Sequence, residues 1–304
     1  MPDTTQSSTS HTSAGRTVLL CGAQGFVGQA LARRLHERGH QVRAASRRSQ
    51  PPADFARMLR AADWLPHLQG VDTVINAVGS LRGSARAPLS AIHAQAPIAL
   101  FEACAEQGVR RVMQLSALGV DGNGTDYART KRAADQHLQA LTAAGRLDGV
   151  IVRPSVVMGA GGASTRLFMQ LALLPVLLMP RPMLRQQIQP LAVADLADAM
   201  LRLLECGHTG LVELGGPERL SMAGLVVSLR QQRGLRPAPL LRALPDWMSR
   251  GTARLGDAVP ASPWCSAALE LASNDNCCDP ATLRHWLQRE PVAPAQLLRS
   301  MQAA

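Results

Sequence analysis

From residue 16 onward, short apolar runs alternate with stretches in which apolar residues recur every three or four positions. The runs predict strands buried on both faces and the stretches predict amphipathic helices; their alternation predicts β-α-β units around a parallel sheet. Thr17–Cys21 predicts the first strand. Residues 26–38, with Val27, Ala30, Leu31, Arg34 and Leu35 at helical spacing, predict a helix ended by Gly39, and Gln41–Ala45 a second strand. Further strands are expected at 54–57, 71–78, 111–116 and 150–157, with helices at 89–107, stopped by Gly108, and 126–144. A glycine turn at 159–162 follows. Helices at 165–174 and 195–205, a strand at 211–214 and a helix opened by Ser221 come next. Apolar stretches around Leu240, Trp247, Ala268 and Leu283 stay unassigned.

The pattern predicts an α/β fold, a Rossmann-type doubly wound parallel sheet with a smaller C-terminal portion. Residues 1–15 read as a disordered tail, 16–160 as a nucleotide-binding core, and 161–304 as a substrate portion interleaved with that core.

Composition narrows the class. At 304 residues, with 46% hydrophobic and 18% charged, the chain can bury a sizeable core and is neither disordered nor fibrous. Six cysteines, four scattered and Cys277 and Cys278 adjacent, without a C-x-x-C pair, predict a reducing, cytoplasmic setting and no metal site. The net charge of +10 is spread over single and paired arginines, and aromatics make up only 3%, which argues against nucleic acid. That charge instead suits a phosphorylated cofactor. The most apolar run, 167–179, is interrupted by Pro175 and is too short to span a bilayer, so no transmembrane segment is predicted.

Gly22-Ala23-Gln24-Gly25-Phe26-Val27-Gly28 lies between the first strand and the first helix. Gly22 permits the tight turn, Gly25 lets the backbone approach a pyrophosphate, and Gly28 lets helix and strand pack closely. The second strand ends in Arg47-Arg48, where an NAD site usually carries an acid that binds the ribose hydroxyls. Two guanidinium groups pair instead with the 2′-phosphate of NADP, so NADP is expected over NAD.

Of the 32 lysines and arginines only Lys131 is a lysine, and Tyr127 is the only tyrosine. Four residues apart on a predicted helix, they share one face. A compact ammonium that lowers the pKa of a phenol and hydrogen-bonds a nicotinamide ribose suits proton transfer near neutral pH. Ser116, at the end of the preceding strand, is placed to orient a substrate carbonyl.

Gly22–Gly28, Asn76-Ala77-Val78-Gly79, Ser116, Tyr127-x-x-x-Lys131 and Arg153-Pro154-Ser155-Val156 together resemble the short-chain dehydrogenase/reductase superfamily. More narrowly they resemble its atypical, extended branch, which includes the nucleotide-binding accessory subunit of respiratory complex I. The resemblance implies that Gly22, Gln24, Gly25, Phe26, Val27 and Gly28 cradle the pyrophosphate. It implies that Ala77 and Val78 pass the ribose and that Pro154, Ser155 and Val156 line the nicotinamide. Tyr127 would be the acid/base, Lys131 its activator and Ser116 the orienter, with Tyr127 and Lys131 also touching cofactor. His93 stands where many relatives have Asn and reads as a packed or capping histidine.

The expected function is NADP-dependent hydride transfer to or from a carbonyl or alcohol substrate. The rivals are a non-catalytic NAD(P)-binding sensor or assembly protein and, more weakly, a nucleotide-sugar epimerase or dehydratase. Run 167–179 reads either as core or homodimer packing, or as the wall of a site for a hydrophobic, quinone-like or lipid-like substrate with peripheral membrane contact.

Overall fold

The computed structural model describes residues 15–259, 262 and 264–302. Apart from Gly15, the tail expected over 1–15 lies outside the described residues.

The central elements are β1 (Thr17–Cys21), α1 (Phe26–Glu37), β2 (Gln41–Ala45), α2 (Ala61–Leu68) and β3 (Thr73–Asn76). After a π-type stretch at Ser90–Gln95 come α3 (Ala96–Gln107), β4 (Arg111–Leu115), α4 (Asp126–Ala143) and β5 (Asp148–Pro154). Then follow β6 (Val157–Met158), α5 (Ala163–Leu171), β7 (Val176–Pro180), α6 (Arg181–Arg185), β8 (Gln187–Ile188) and β9 (Leu191–Ala192). The chain returns to the core through α7 (Val193–Glu205) and β10 (Gly210–Leu214). It ends with β11 (Leu220–Ser221), α8 (Met222–Gln232), β12 (Leu240–Leu244), α9 (Asp246–Asp257), α10 (Ser266–Leu271), α11 (Pro280–Leu287) and α12 (Leu297–Gln302).

The main sheet runs β2-β1-β3-β4-β5-β10, all parallel. Its strands are apolar on both faces because helices cover both. In β1, Leu19 and Cys21 join Trp64, Phe101 and Leu138 of α2, α3 and α4, whereas Val18 and Leu20 join Leu31, Leu196 and Leu283 of α1, α7 and α11. A third cluster, around Phe168, Leu177, Met179 and Leu225, forms the C-terminal portion. It is tied to the loops leaving β4 and β5: Asn276 Nδ2 donates to the Leu118 carbonyl (2.8 Å) and Ser155 Oγ to the Asn276 carbonyl (2.8 Å).

Local signals set the helix ends. Thr125 Oγ1 accepts the Ala128 N–H to start α4, Ser221 does the same for α8, and Gly108 (φ +75°) stops α3. The strand expected at 54–57 does not form. Asp54 accepts the Ala56 N–H through its carboxylate and the Arg57 and Met58 N–H groups through its carbonyl, closing a turn that buries Phe55 and Met58 beside Trp64. The expected strand 150–157 is interrupted at Ser155 and Val156, giving β5 and β6. Within 167–179, Pro175 separates α5 from a strand, β7, that the sequence reading missed. Among the described residues, no helix is long and apolar enough to cross a membrane, and no cluster of His, Cys, Asp and Glu could hold a metal.

Candidate active site

β1 ends at Cys21 and α1 begins at Phe26, so the chain must reverse within four residues. Gly22 does so at φ +81°, and a Cβ there would lie 3.0 Å from the Ala77 carbonyl. A Cβ on Gly28 would stand 2.0 Å from the Gly22 carbonyl oxygen, so turn and helix touch backbone to backbone. Gly25 is the N-cap of α1, which has no side-chain cap and no acid in its first turn. A cradle with glycine at both of its ends therefore faces the uncapped, positive end of a 12-residue helix. These residues fit a dinucleotide pyrophosphate. The Phe26 ring is wedged under the glycine turn at 159–162 and Val27 packs on the core, so both offer a ligand only backbone. The Gln24 carbonyl accepts from Gln29 Nε2 (2.9 Å). Arg47 and Arg48, beyond the end of β2, are exposed, and their side chains have no partner among the described residues.

The path from the cradle to the Tyr–Lys pair is short. Ala77 and Val78 back onto Gly22, and the Val78 carbonyl accepts from Lys131 Nζ at 3.3 Å. A second bond from Nζ goes to the Leu115 carbonyl, at 2.9 Å. Lys131 is thus pinned at the C-terminal ends of β3 and β4. Its burial lowers its pKa to about 8, against the opposing pull of the nearby Asp135 carboxylate. Tyr127 is half-buried, and desolvation, assisted by Asp135, pushes its pKa up to about 12. The protein's own groups therefore hold the phenol protonated rather than lowering its pKa.

Ser116 occupies the expected place after β4, but its hydroxyl donates to Asp135 Oδ2 (2.7 Å), and the cavity wall there is made by Ala117, Leu118 and Gly119. Asp135 was missed from sequence, although it continues the face of Tyr127 and Lys131 by one more helical turn. It is fully buried and pairs with Arg153 Nε (3.0 Å), while the Arg153 fork grips Asp121 at 2.6 and 3.1 Å. His93 is a packed, neutral histidine. Its Nε2 accepts the Ser80 N–H (3.0 Å), burial and the Lys131 charge push its pKa down to about 3, and its ring meets Tyr127 edge-on at 5.3 Å.

Tyr127, Pro154, Ser155 and Val156 line one cavity of about 560 Å³. Leu167, Phe168, Met179, Met183, Leu244 and Leu271 make it strongly apolar, and Asp275 is the only charged residue among the described residues lining it.

A pH profile checks this electrostatic reading. If Tyr127 and Lys131 hold the roles that the family resemblance implies, kcat/KM for carbonyl reduction is expected to be flat below about pH 8, where Lys131 is charged and Tyr127 protonated, and to fall about tenfold per pH unit above it. Lys131→Arg, which keeps its charge, is expected to flatten the alkaline limb. A wild-type limb still flat at pH 10 would count against the role given to the ammonium.

A profile of the NAD dependent epimerase/dehydratase family matches residues 18–215. Ceramide reductase of Caulobacter vibrioides (strain NA1000 / CB15N) is 27% identical over 254 residues, 77% of this chain and 75% of that protein. For 2-alkyl-3-oxoalkanoate reductase of Stenotrophomonas maltophilia (strain K279a) the identity is 30% over 173 residues, 47% of this chain and 52% of the other. The structure of UDP-N-acetylglucosamine 4-epimerase from Bacillus cereus shares the fold, with a TM-score of 0.69 at 14% identity over 95% of this chain and 96% of that one. The narrower likeness to the complex I subunit rests on the sequence motifs alone. The family match runs from the second residue of β1 to the residue after β10, the whole span of the main sheet, and on that ground the chain belongs to the NAD dependent epimerase/dehydratase family, a nicotinamide-dinucleotide-dependent branch of the short-chain dehydrogenase/reductase superfamily.

Proposed function

We propose that this protein is an NADP-dependent reductase of apolar ketones. The observation that carries the proposal is the place of the Tyr127 phenol on the wall of an apolar cavity, one helical turn from Lys131, whose Nζ reaches the Val78 carbonyl behind the glycine turn. The cofactor, when bound, supplies hydride to the carbonyl carbon. Tyr127 gives its proton to the carbonyl oxygen, and a phenol held protonated by burial suits the reductive direction. Lys131 braces the backbone of Val78 and Leu115 and presents positive charge toward the ribose side. Pro154, Ser155 and Val156 flank the nicotinamide, and Ser116 acts through Asp135. The two curated relatives, both named as reductases, support this reading. A nucleotide sugar fits less well, because no Lys or Arg among the described residues lines the cavity to hold a diphosphate.

The test is NADPH oxidation with ketones of increasing chain length. Specificity, kcat/KM, is expected to rise about fourfold per methylene until the cavity is full, since each buried CH₂ contributes about 0.8 kcal/mol. A flat series, or turnover of a UDP-sugar in preference to ketones, overturns the reading.

The cofactor choice has its own test. Joint replacement of Arg47 and Arg48 by Ala is expected to raise KM for NADPH about 10–100-fold, because hydrogen bonds to charged groups are worth about 1.5–3 kcal/mol. KM for NADH should barely move. Equal losses for both cofactors would remove the arginines from 2′-phosphate recognition.

A further inference from the structure

We infer that the face built by β7, β12 and α9 docks this protein on an anionic phospholipid bilayer. Of the eleven large apolar side chains that stay exposed among the described residues, nine sit on these three elements or beside their ends. β7 and β12 pair in parallel with Val176 opposite Leu240 and Leu178 opposite Arg242, so these four side chains share one face. β7 buries its other face: Leu177 and Met179 belong to the core, so of the two leucines in mid-strand only Leu178 is surface. α9 touches β7 and packs chiefly against α10, its Ser249, Ala253 and Gly256 buried. It leaves Trp247 71% and Leu255 72% exposed, and Arg254 follows Trp247 by two helical turns on the same stripe while Arg250 flanks it toward α6. An interfacial helix looks like this, with apolar side chains entering the acyl boundary and arginines reaching back to the headgroups.

Charge selects the occupant. Arg181, Arg185, Arg250 and Arg254 surround one cleft whose only carboxylates among the described residues are Asp246 and Glu270, and none of the four forms an ion pair within 4 Å among those residues. Asp257, the other acid of α9, accepts from Ser266 and also feels the charges of Arg82 and Arg254, so the four arginines still outnumber the three carboxylates around them. A second copy of the chain, docked by two-fold symmetry, would set this arginine-rich face against itself; an anionic bilayer is attracted to it. The same elements wall the ketone cavity through Leu178, Leu244 and Thr252. Docking would therefore bring the cavity close to a substrate dissolved in lipid. That purpose rests on the reductase reading, whereas the surface does not.

Co-sedimentation of the full chain with phosphatidylglycerol and phosphatidylcholine vesicles tests the inference. The protein should partition onto phosphatidylglycerol only, and added salt should release it. Arg250→Glu with Arg254→Glu should weaken partitioning at least about thirtyfold, since each basic residue near such a surface contributes about 1 kcal/mol. Trp247→Ser with Leu255→Ser should weaken it about tenfold or more. None of the four side chains lines the cavity, so both variants should keep the wild-type thermal midpoint and the wild-type turnover of a water-soluble ketone. Wild type left in the supernatant, or bound equally to both lipids, overturns the docking. So does a dimer, seen by light scattering, that Trp247→Ser dissociates while vesicles capture nothing. An active reductase that ignores vesicles sinks this inference alone; vesicle binding by a protein inert to every ketone upholds it and sinks the reductase reading.

Discussion

Tyr127→Phe is expected to lower kcat for ketone reduction by about 10²–10⁴-fold, the usual contribution of a positioned general acid, with the affinity for NADPH unchanged. The substitution removes one oxygen and little else. The ring keeps its edge contact with His93 at 5.3 Å, and α4 keeps its Thr125 cap. Lys131 is held by the Leu115 and Val78 carbonyls rather than by the phenol, so the ribose side of the site stays in place. The loss should therefore fall on kcat and kcat/KM alike, the pattern of an interaction made only in the transition state. Steady-state kinetics with NADPH and a long-chain ketone, beside a direct titration of NADPH, separate the possibilities. Retained turnover would mean that another group supplies the proton. A wild type that binds NADPH yet reduces nothing would be the redox sensor that the sequence also allowed.

What could be read from the sequence was whatever a few adjacent residues decide. The Gly22–Gly28 turn needs glycine because backbone meets backbone there, and it signals a phosphate cradle without any knowledge of the rest of the chain. Tyr127 and Lys131 share a face because a helix repeats every 3.6 residues, and Gly108 ends α3 because the chain must take a positive φ. Errors arose where a side chain's hydrogen bonds, near or far along the chain, override the pattern of apolar positions. The segment at 54–57 carries a buried Phe55 and reads as a strand, yet the Asp54 carboxylate and carbonyl take the neighbouring N–H groups first and close a turn. Ser116 reads as an orienter of substrate until Asp135, nineteen residues on, claims its hydroxyl. The cavity was the least legible feature. Its walls come from β7, β12 and α9 as well as from the loops after β4 and β5, and no local pattern announces that these meet.

The buried carboxylate makes the second large effect. Arg153→Met is expected to destabilise the fold by about 3–5 kcal/mol, because removing one partner of a buried ion pair leaves the other charge uncompensated. Asp135 is fully buried, and its Oδ1 has no partner even with Arg153 present. Burial already raises its pKa, while Ser116, Arg153 and Lys131 pull it down; without Arg153 it must rise further. A carboxyl whose folded pKa lies above its unfolded value binds more protons when folded, so stability increases as pH falls through that interval. The deficit of Arg153→Met should therefore be greatest at neutral pH and shrink as the medium is acidified toward the ordinary carboxylate range. Urea midpoints at neutral and mildly acidic pH measure it. Adding Asp135→Leu, which removes the stranded charge, should recover most of the loss and abolish its pH dependence. A deficit that stays constant with pH, or that the second substitution leaves untouched, would show that Arg153 stabilises the fold through its fork on Asp121 rather than by neutralising Asp135.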